Sequence, residues 1–203
     1  MERSTIMESR ITYFEDLRPE NTETTFALVR DRAAALGIGK LVLASTTGAT
    51  AQKALDFFQD LKLIVVPHQH GFKRAENPFP PALVRTLRQA GHEVHFGTML
   101  FHTGDFYGSN APAVMANLLR CFSQGVKVCF EITLMATDAG LLTTGEKVIA
   151  VAGTGRGSDT ALVMQAASTQ HLSRLRVNEI LCKPLNPLNT DEAREAREKE
   201  RNG

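Results

Sequence analysis

Leu41-Val42-Leu43-Ala44-Ser45-Thr46-Thr47-Gly48-Ala49-Thr50-Ala51 is the stretch whose reading decides the fold. Apolar residues in an unbroken run, without alternation, read as a strand buried on both faces. Such strands belong to parallel sheets covered by helices. A turn rich in hydroxyls follows, and Ala51 to Phe58 reads as a helix. The first amides of a helix carry partial positive charge and lack intrahelical acceptors. Ser45, Thr46, Thr47 and Thr50 set hydroxyls beside them, and Gly48 lets the backbone approach a ligand closely. The Ser45-to-Thr50 turn, Ala49 included, therefore suits a phosphate. It suits a plain helix cap equally, since Ser and Thr are preferred there.

The same alternation continues on both sides. Ile11 to Phe14 reads as a first strand, and Asn21 as the cap of a helix carrying Phe26, Val29, Ala33 and Leu36, stopped by Gly37. Leu63 to Val66 is a second buried strand ended by Pro67. Pro80 and Pro81 suit a helix start, and that helix stops at Gly91. Glu93 to Phe96 is a third strand. Gly97 to Asn110 is long for a connection, which marks it as a candidate functional loop. A helix opens at Pro112, with Met115, Leu118, Leu119 and Phe122 on one face, and Gly125 interrupts it. Val128 to Leu142 follows helical spacing through Val128, Ile132, Met135 and Ala139. Lys147 to Ala152, Thr160 to Met164 and a short Glu179 to Cys182 read as strands. Residues 1–189 are expected to form a single domain and residues 190–203 a charged tail.

Bulk properties narrow the function classes. The formal charge is only +1, so no global field favours nucleic acid or anionic lipid. No run reaches the roughly 18 apolar residues of a membrane span. The N-terminal residues lack the apolar core of a signal peptide, so a cytoplasmic location is expected. Cys121, Cys129 and Cys182 are too few and too scattered for a disulfide framework or a zinc site. Cys129 reads as a buried structural thiol.

A second candidate anion site is Gly153-Thr154-Gly155-Arg156-Gly157-Ser158-Asp159, after the strand ending at Ala152. Three glycines can fold the amides into a nest, and Arg156 can add a charged fork. No Gly-Lys-Ser/Thr follows, so this is not a Walker loop, and a flexible strand-to-strand turn is the competing reading. His68, His70 and His102 with Asp105 form a third group. His68-x-His70 after a strand is a spacing that can hold a metal, but no third ligand is specified. The competing reading is that these side chains line a pocket or cap a strand. Glu131 and Asp138 lie two turns apart on one helical face. Such a carboxylate pair can do acid–base work, and the plainer reading is a solvated or N-cap-facing helix side. No Ser-His-Asp elbow of the Gly-x-Ser-x-Gly type is present.

Ala44 to Ala51 resembles the turn that opens the C-terminal domain of pyruvate kinase, and Gly145 to Ser158 is similar to that domain's last glycine-rich loop. The whole chain more closely resembles a stand-alone, prokaryotic family of pyruvate kinase C-terminal-like proteins. The stretches Tyr13-Phe14-Glu15, Glu20 to Glu23, Ser123 to Cys129 and Ala136 to Leu141 carry that likeness across roughly residues 10 to 185. The resemblance implies a three-layer α/β/α sandwich whose mostly parallel sheet has one antiparallel edge strand, here Thr160 to Met164. It also implies flavin mononucleotide (FMN) as cofactor, with its phosphate at the Ser45-to-Thr50 turn. Because 203 residues leave no room for a catalytic barrel, no pyruvate kinase activity is expected. Phe101 to Gly108 departs from the family pattern and would shape the ligand pocket.

Three functions follow as expectations. The chain binds a phosphorylated small molecule through Ser45 to Thr50 and Gly153 to Ser158. Alternatively it is a flavin-dependent oxidoreductase, with Tyr107 joining His68, His70 and His102 as pocket side chains, or a phosphometabolite sensor acting through homo-oligomerisation. Whether it is an enzyme stays open at the level of sequence.

Overall fold

The computed structural model describes residues 6–72, 74–188, 192 and 195. The chain runs β1 (Thr12–Phe14), α1 (Asn21–Leu36), β2 (Lys40–Ala44), α2 (Ala49–Phe57), β3 (Lys62–Val66), α3 (Pro81–Gln89) and β4 (Glu93–Val94). It continues through a 3-10 turn (Leu100–His102), α4 (Gly104–Tyr107), α5 (Ala111–Arg120), α6 (Gln124–Asp138), β5 (Lys147–Ala152) and β6 (Thr160–Gln165). A second 3-10 stretch (Thr169–Arg174) leads into β7 (Arg176–Pro184).

All seven strands join one sheet in the order β1-β7-β6-β5-β2-β3-β4. β5, β2, β3 and β4 run parallel, with Leu43 beside Val151 and Val65. β6 is antiparallel to both β5 and β7. The mostly parallel α/β/α architecture is as expected, but the antiparallel strand is not at the edge. β7 is nine residues long rather than a short stub, pairs along β6, and lets β1 add outside it.

Alternate residues of each buried strand feed two cores, as the period of two requires. Leu41, Leu43, Leu63, Val65, Ile149 and Val151 pack against α1, α2 and α3 through Phe26, Val29, Ala51, Ala54, Leu83 and Leu87. Val42, Ile64, Val66, Val148, Ala150 and Leu162 pack against α6 through Val126, Cys129, Ile132 and Met135. Leu43 is fully buried, and truncating such a residue to alanine costs about 2–5 kcal/mol.

Several boundaries depart from the sequence reading. α2 begins two residues early, at Ala49, because Ser45 Oγ caps the amide of Ala51 from outside the helix. Gly125 does not interrupt a helix; it lies in the first turn of α6, which Ser123 caps by accepting from Val126 N at 3.0 Å. The long connection after β4 holds the first 3-10 turn and α4. Met115, Leu118 and Phe122 face solvent. Most of the expected tail, residues 190–203, lies outside the described residues. No helix among the described residues is long and apolar enough to cross a membrane.

Candidate functional site

The chain visits β2, β3 and β4 in one direction, then crosses by α4, α5 and α6 to β5 on the other side of β2. The strand order therefore reverses between β2 and β5. In open α/β sheets this reversal leaves a crevice beyond the carboxyl ends of the two strands, where ligands bind. The Ser45–Thr50 turn leaves β2 there, and the Gly153–Asp159 loop leaves β5. The two strands are hydrogen-bonded neighbours, about 4.8 Å apart. Topology thus sets the two sequence-predicted loops side by side.

In the turn, Ser45 is buried and spends its hydroxyl on Ala51 N. Gly48 sits at φ +88°, a left-handed conformation that disfavours any side chain. A Cβ there would stand 2.8 Å from Leu83 Cδ2 and 3.0 Å from Pro80 Cδ, so this glycine also permits close packing of α2 on α3. The amides of Thr47, Gly48, Ala49 and Thr50 have no acceptor among the described residues. Thr46 and Thr47 are exposed. An open hollow of about 420 Å³ adjoins the turn, lined by Thr47, Gly48, Gln52, Pro80, Leu83 and Thr86 among others.

The glycine-rich loop is more occupied. Thr154 N donates to Asp159 Oδ2 at 2.9 Å, so the nest already holds a carboxylate supplied by the loop itself. Thr160 Oγ1 donates to Asp159 Oδ1 at 2.7 Å. Burial holds the Asp159 carboxyl above its ordinary range, and these hydrogen bonds pull partly the other way. Ser158 N donates to Thr22 Oγ1 at 2.9 Å, and Thr25 Oγ1 donates to Ser158 O at 3.2 Å, which ties the loop to α1. Ser158 Oγ is buried with no partner among the described residues. Gly157, at φ +76°, has no room for a Cβ, which would meet Thr22 Oγ1 at 2.3 Å. Gly153 is similarly tight against Gly157 O. The amides of Gly155, Arg156 and Gly157 have no acceptor among the described residues, and Arg156 is exposed.

The histidines divide. His68 follows β3, and its Nε2 lies 3.3 Å from Thr46 Oγ1, so it joins the Ser45–Thr50 turn. Its ring meets Phe72 at 4.8 Å, and Phe72 meets the His102 ring at 5.0 Å. His70 is exposed and packs on Phe96 instead. Asp105 and Tyr107 lie on α4, exposed to solvent. No group of three or more metal-binding side chains forms among the described residues.

One pairing escaped the sequence reading. Lys127 and Glu131, each 1% exposed, form an ion pair on α6, and Lys127 Nζ also lies 3.2 Å from His102 Nε2. Glu131 Oε1 accepts from Phe101 N at 2.9 Å, which fastens the 3-10 turn to α6. Glu131 is therefore not solvated, and Asp138 serves a separate end by accepting from Thr169 N. The available signal was the i,i+4 spacing of Lys127 and Glu131 inside an otherwise apolar helix.

The family model for the pyruvate kinase alpha/beta domain matches residues 23–164, from α1 to the end of β6. Among solved structures, a pyruvate kinase from Cryptosporidium parvum is similar at 16% identity and a TM-score of 0.41, covering 72% of this chain and 23% of its own. The Cryptosporidium parvum pyruvate kinase in complex with ADP gives 16%, 0.40, 72% and 24%. The chain thus spans about a quarter of the length of those enzymes. By the matched span, which takes in both candidate loops up to Asp159, this chain belongs to the pyruvate kinase alpha/beta domain family.

Proposed function

We propose that this chain binds a phosphorylated small molecule where the strand order reverses, with the phosphate on the Ser45–Thr50 turn. One observation carries the reading. Consecutive amides, Thr47 to Thr50, are left without acceptors at a helix N-terminus that opens onto that reversal. Such a set of donors with exposed threonine hydroxyls suits a dianion. The open amides of Gly155 to Gly157 and the exposed Arg156, on the neighbouring loop, are the donors we assign to the other side of the ligand, while Asp159 keeps the rest of that loop folded.

FMN is the ligand we propose. Its phosphate fits the turn's donors, and the family resemblance carries the rest of the choice. A bound flavin would bring its own redox chemistry, and the protein's part would be to hold and orient it. A flavin-dependent oxidoreductase is thus an extension of the same binding reading.

The test is a fluorescence titration of FMN and of riboflavin into the full chain, with inorganic phosphate as competitor. Tight FMN binding, much weaker riboflavin binding and displacement by phosphate support the proposal. Equal affinity for FMN and riboflavin overturns the phosphate site. Failure to bind FMN, with phosphate still raising the melting temperature, retains the site and rejects the flavin.

A further inference from the structure

Helix α5 carries its apolar stripe on the side that faces away from the core. Val114, Met115 and Leu118 fall within about 100° of arc. They are 64%, 41% and 66% exposed, and Phe122, just past the helix, is 50% exposed. The opposite side of α5 is held to the body through Ala116, which is 1% exposed. α4 packs beside α5 and adds Phe106 and Tyr107, 83% and 70% exposed, with their rings edge-on at 4.9 Å.

This exposure is large for an isolated chain. At about 200 Å² for a fully exposed large side chain, the six leave on the order of 750 Å² open to water. Monomers seldom leave more than about 300–600 Å² in an apolar patch, whereas one partner of a stable interface contributes about 800 Å². The composition agrees. From Gly104 to Phe122 the charged residues are Asp105 and Arg120, so the stretch is poor in charge, and aromatics, Met and Arg are enriched at interface cores. Arg120 is already engaged by Gln124 Oε1 and Asn117 Oδ1, each at 2.7 Å.

We propose that the α4–α5 hairpin is a two-fold interface between two copies of this chain. A nearly uncharged helical face can pack on itself without like-charge repulsion, and a two-fold axis pairs the same patch on both copies. The exposed area matches what each half of such a dimer has to supply. With one acidic and one basic residue across the hairpin, a strongly charged partner finds little to match, and an anionic membrane finds no basic fringe. The proposal does not rest on the ligand reading.

Sedimentation equilibrium of the full chain, from micromolar to about 100 µM, tests it. The wild type is expected at twice the chain mass. Val114→Glu with Leu118→Glu, both on the surface, should raise the dimer dissociation constant by about 30-fold or more. Phe106→Ser with Tyr107→Ser is a second variant that spares α5, and should weaken the dimer in the same direction. Leu172→Glu, at an exposed apolar position outside α4 and α5, should leave the mass unchanged. Circular dichroism checks that each variant is folded. A wild type that stays monomeric throughout overturns the proposal. So does a dimer that both folded hairpin variants retain, or a monomer that instead floats with neutral lipid vesicles.

Discussion

Lys127 Nζ lies 2.5 Å from Glu131 Oε2, one turn further along α6, and both side chains are 1% exposed. Two charges taken out of water need each other. Their attraction offsets desolvation only while both remain. Glu131→Gln should therefore cost about 3–5 kcal/mol, because it takes the carboxylate from a buried ammonium and weakens the anchor on Phe101 N. Lys127→Met with Glu131→Leu should cost less than either single change, since no charge is left buried. Urea denaturation of Lys127→Met, Glu131→Leu and the double variant checks the order. Additive losses would show that the two groups act separately.

Asp159 gives a pH signature. Its carboxyl titrates above the ordinary value of 3.8, first because of burial. Between the ordinary and the raised value the folded chain holds a proton that the unfolded chain has released. Stability attributable to this group therefore falls as pH rises through that window and is flat above it. Asp159→Asn should remove the slope, and the amide oxygen can still accept from Thr154 N. Melting temperatures of both proteins across mildly acidic pH decide it. An unchanged slope in the variant would mean that the carboxyl is not the group responsible.

His92 should work in the opposite sense. Burial, and then the Lys62 charge, hold its imidazole below the ordinary 6.5, and its Nδ1 accepts from Leu63 N. The unfolded chain binds the proton more readily, so stability is lost as pH falls from about 6.5 toward the folded value. His92→Asn should make the profile shallower in that range while leaving the Asp159 window intact. The remaining slope belongs to His95, whose imidazole is also held below its ordinary value by burial. Thermal melts of the single and double variants separate the two slopes.

The fold was legible where pattern and physics coincide. Uninterrupted apolar runs at Leu41–Ala44 and Leu63–Val66 marked buried parallel strands, and topology then brought the turn after Ala44 beside the loop after Ala152. What sequence hid were relationships across space. Nothing local says that β7 will pair along β6 and move β6 off the edge. Helical periodicity gave the face of α5 but not its direction, because an apolar stripe looks the same whether it meets a core or a second chain. Glu131 read as solvated because its partner on Phe101 is thirty residues away. In the glycine-rich loop, sequence suggested an anion nest and could not show that Asp159 already supplies an anion.

Gly125 tests a reading that a propensity scale would reverse. In a helix, Gly→Ala ordinarily stabilises by about 1 kcal/mol. Here a Cβ would stand 2.1 Å from Thr160 Oγ1 and 2.5 Å from Thr160 Cβ. Thr160 is fully buried and bonded to Asp159, so it cannot swing aside cheaply. Gly125→Ala should therefore destabilise by about 1–3 kcal/mol. Chemical denaturation reads the sign, and a gain in stability would show that the start of α6 has slack.

Arg156 separates a binding role of the glycine-rich loop from a structural one. The residue is exposed, and a Cβ on its neighbour Gly155 would meet no heavy atom within 4 Å, so neither position holds the loop together. The loop's rigidity comes instead from Asp159, Thr22 and Thr25. Arg156→Ala should leave the melting temperature within about a degree or two of the wild type, as surface changes usually do. If the guanidinium faces the bound phosphate, the same change should weaken FMN binding about tenfold at low salt, and less as salt screens the pair. Riboflavin, which lacks the phosphate, should not register the substitution. An Arg156→Ala protein that binds FMN like the wild type at low salt would confine the phosphate to the Ser45–Thr50 turn. The loop after β5 would then serve to brace α1 against the sheet.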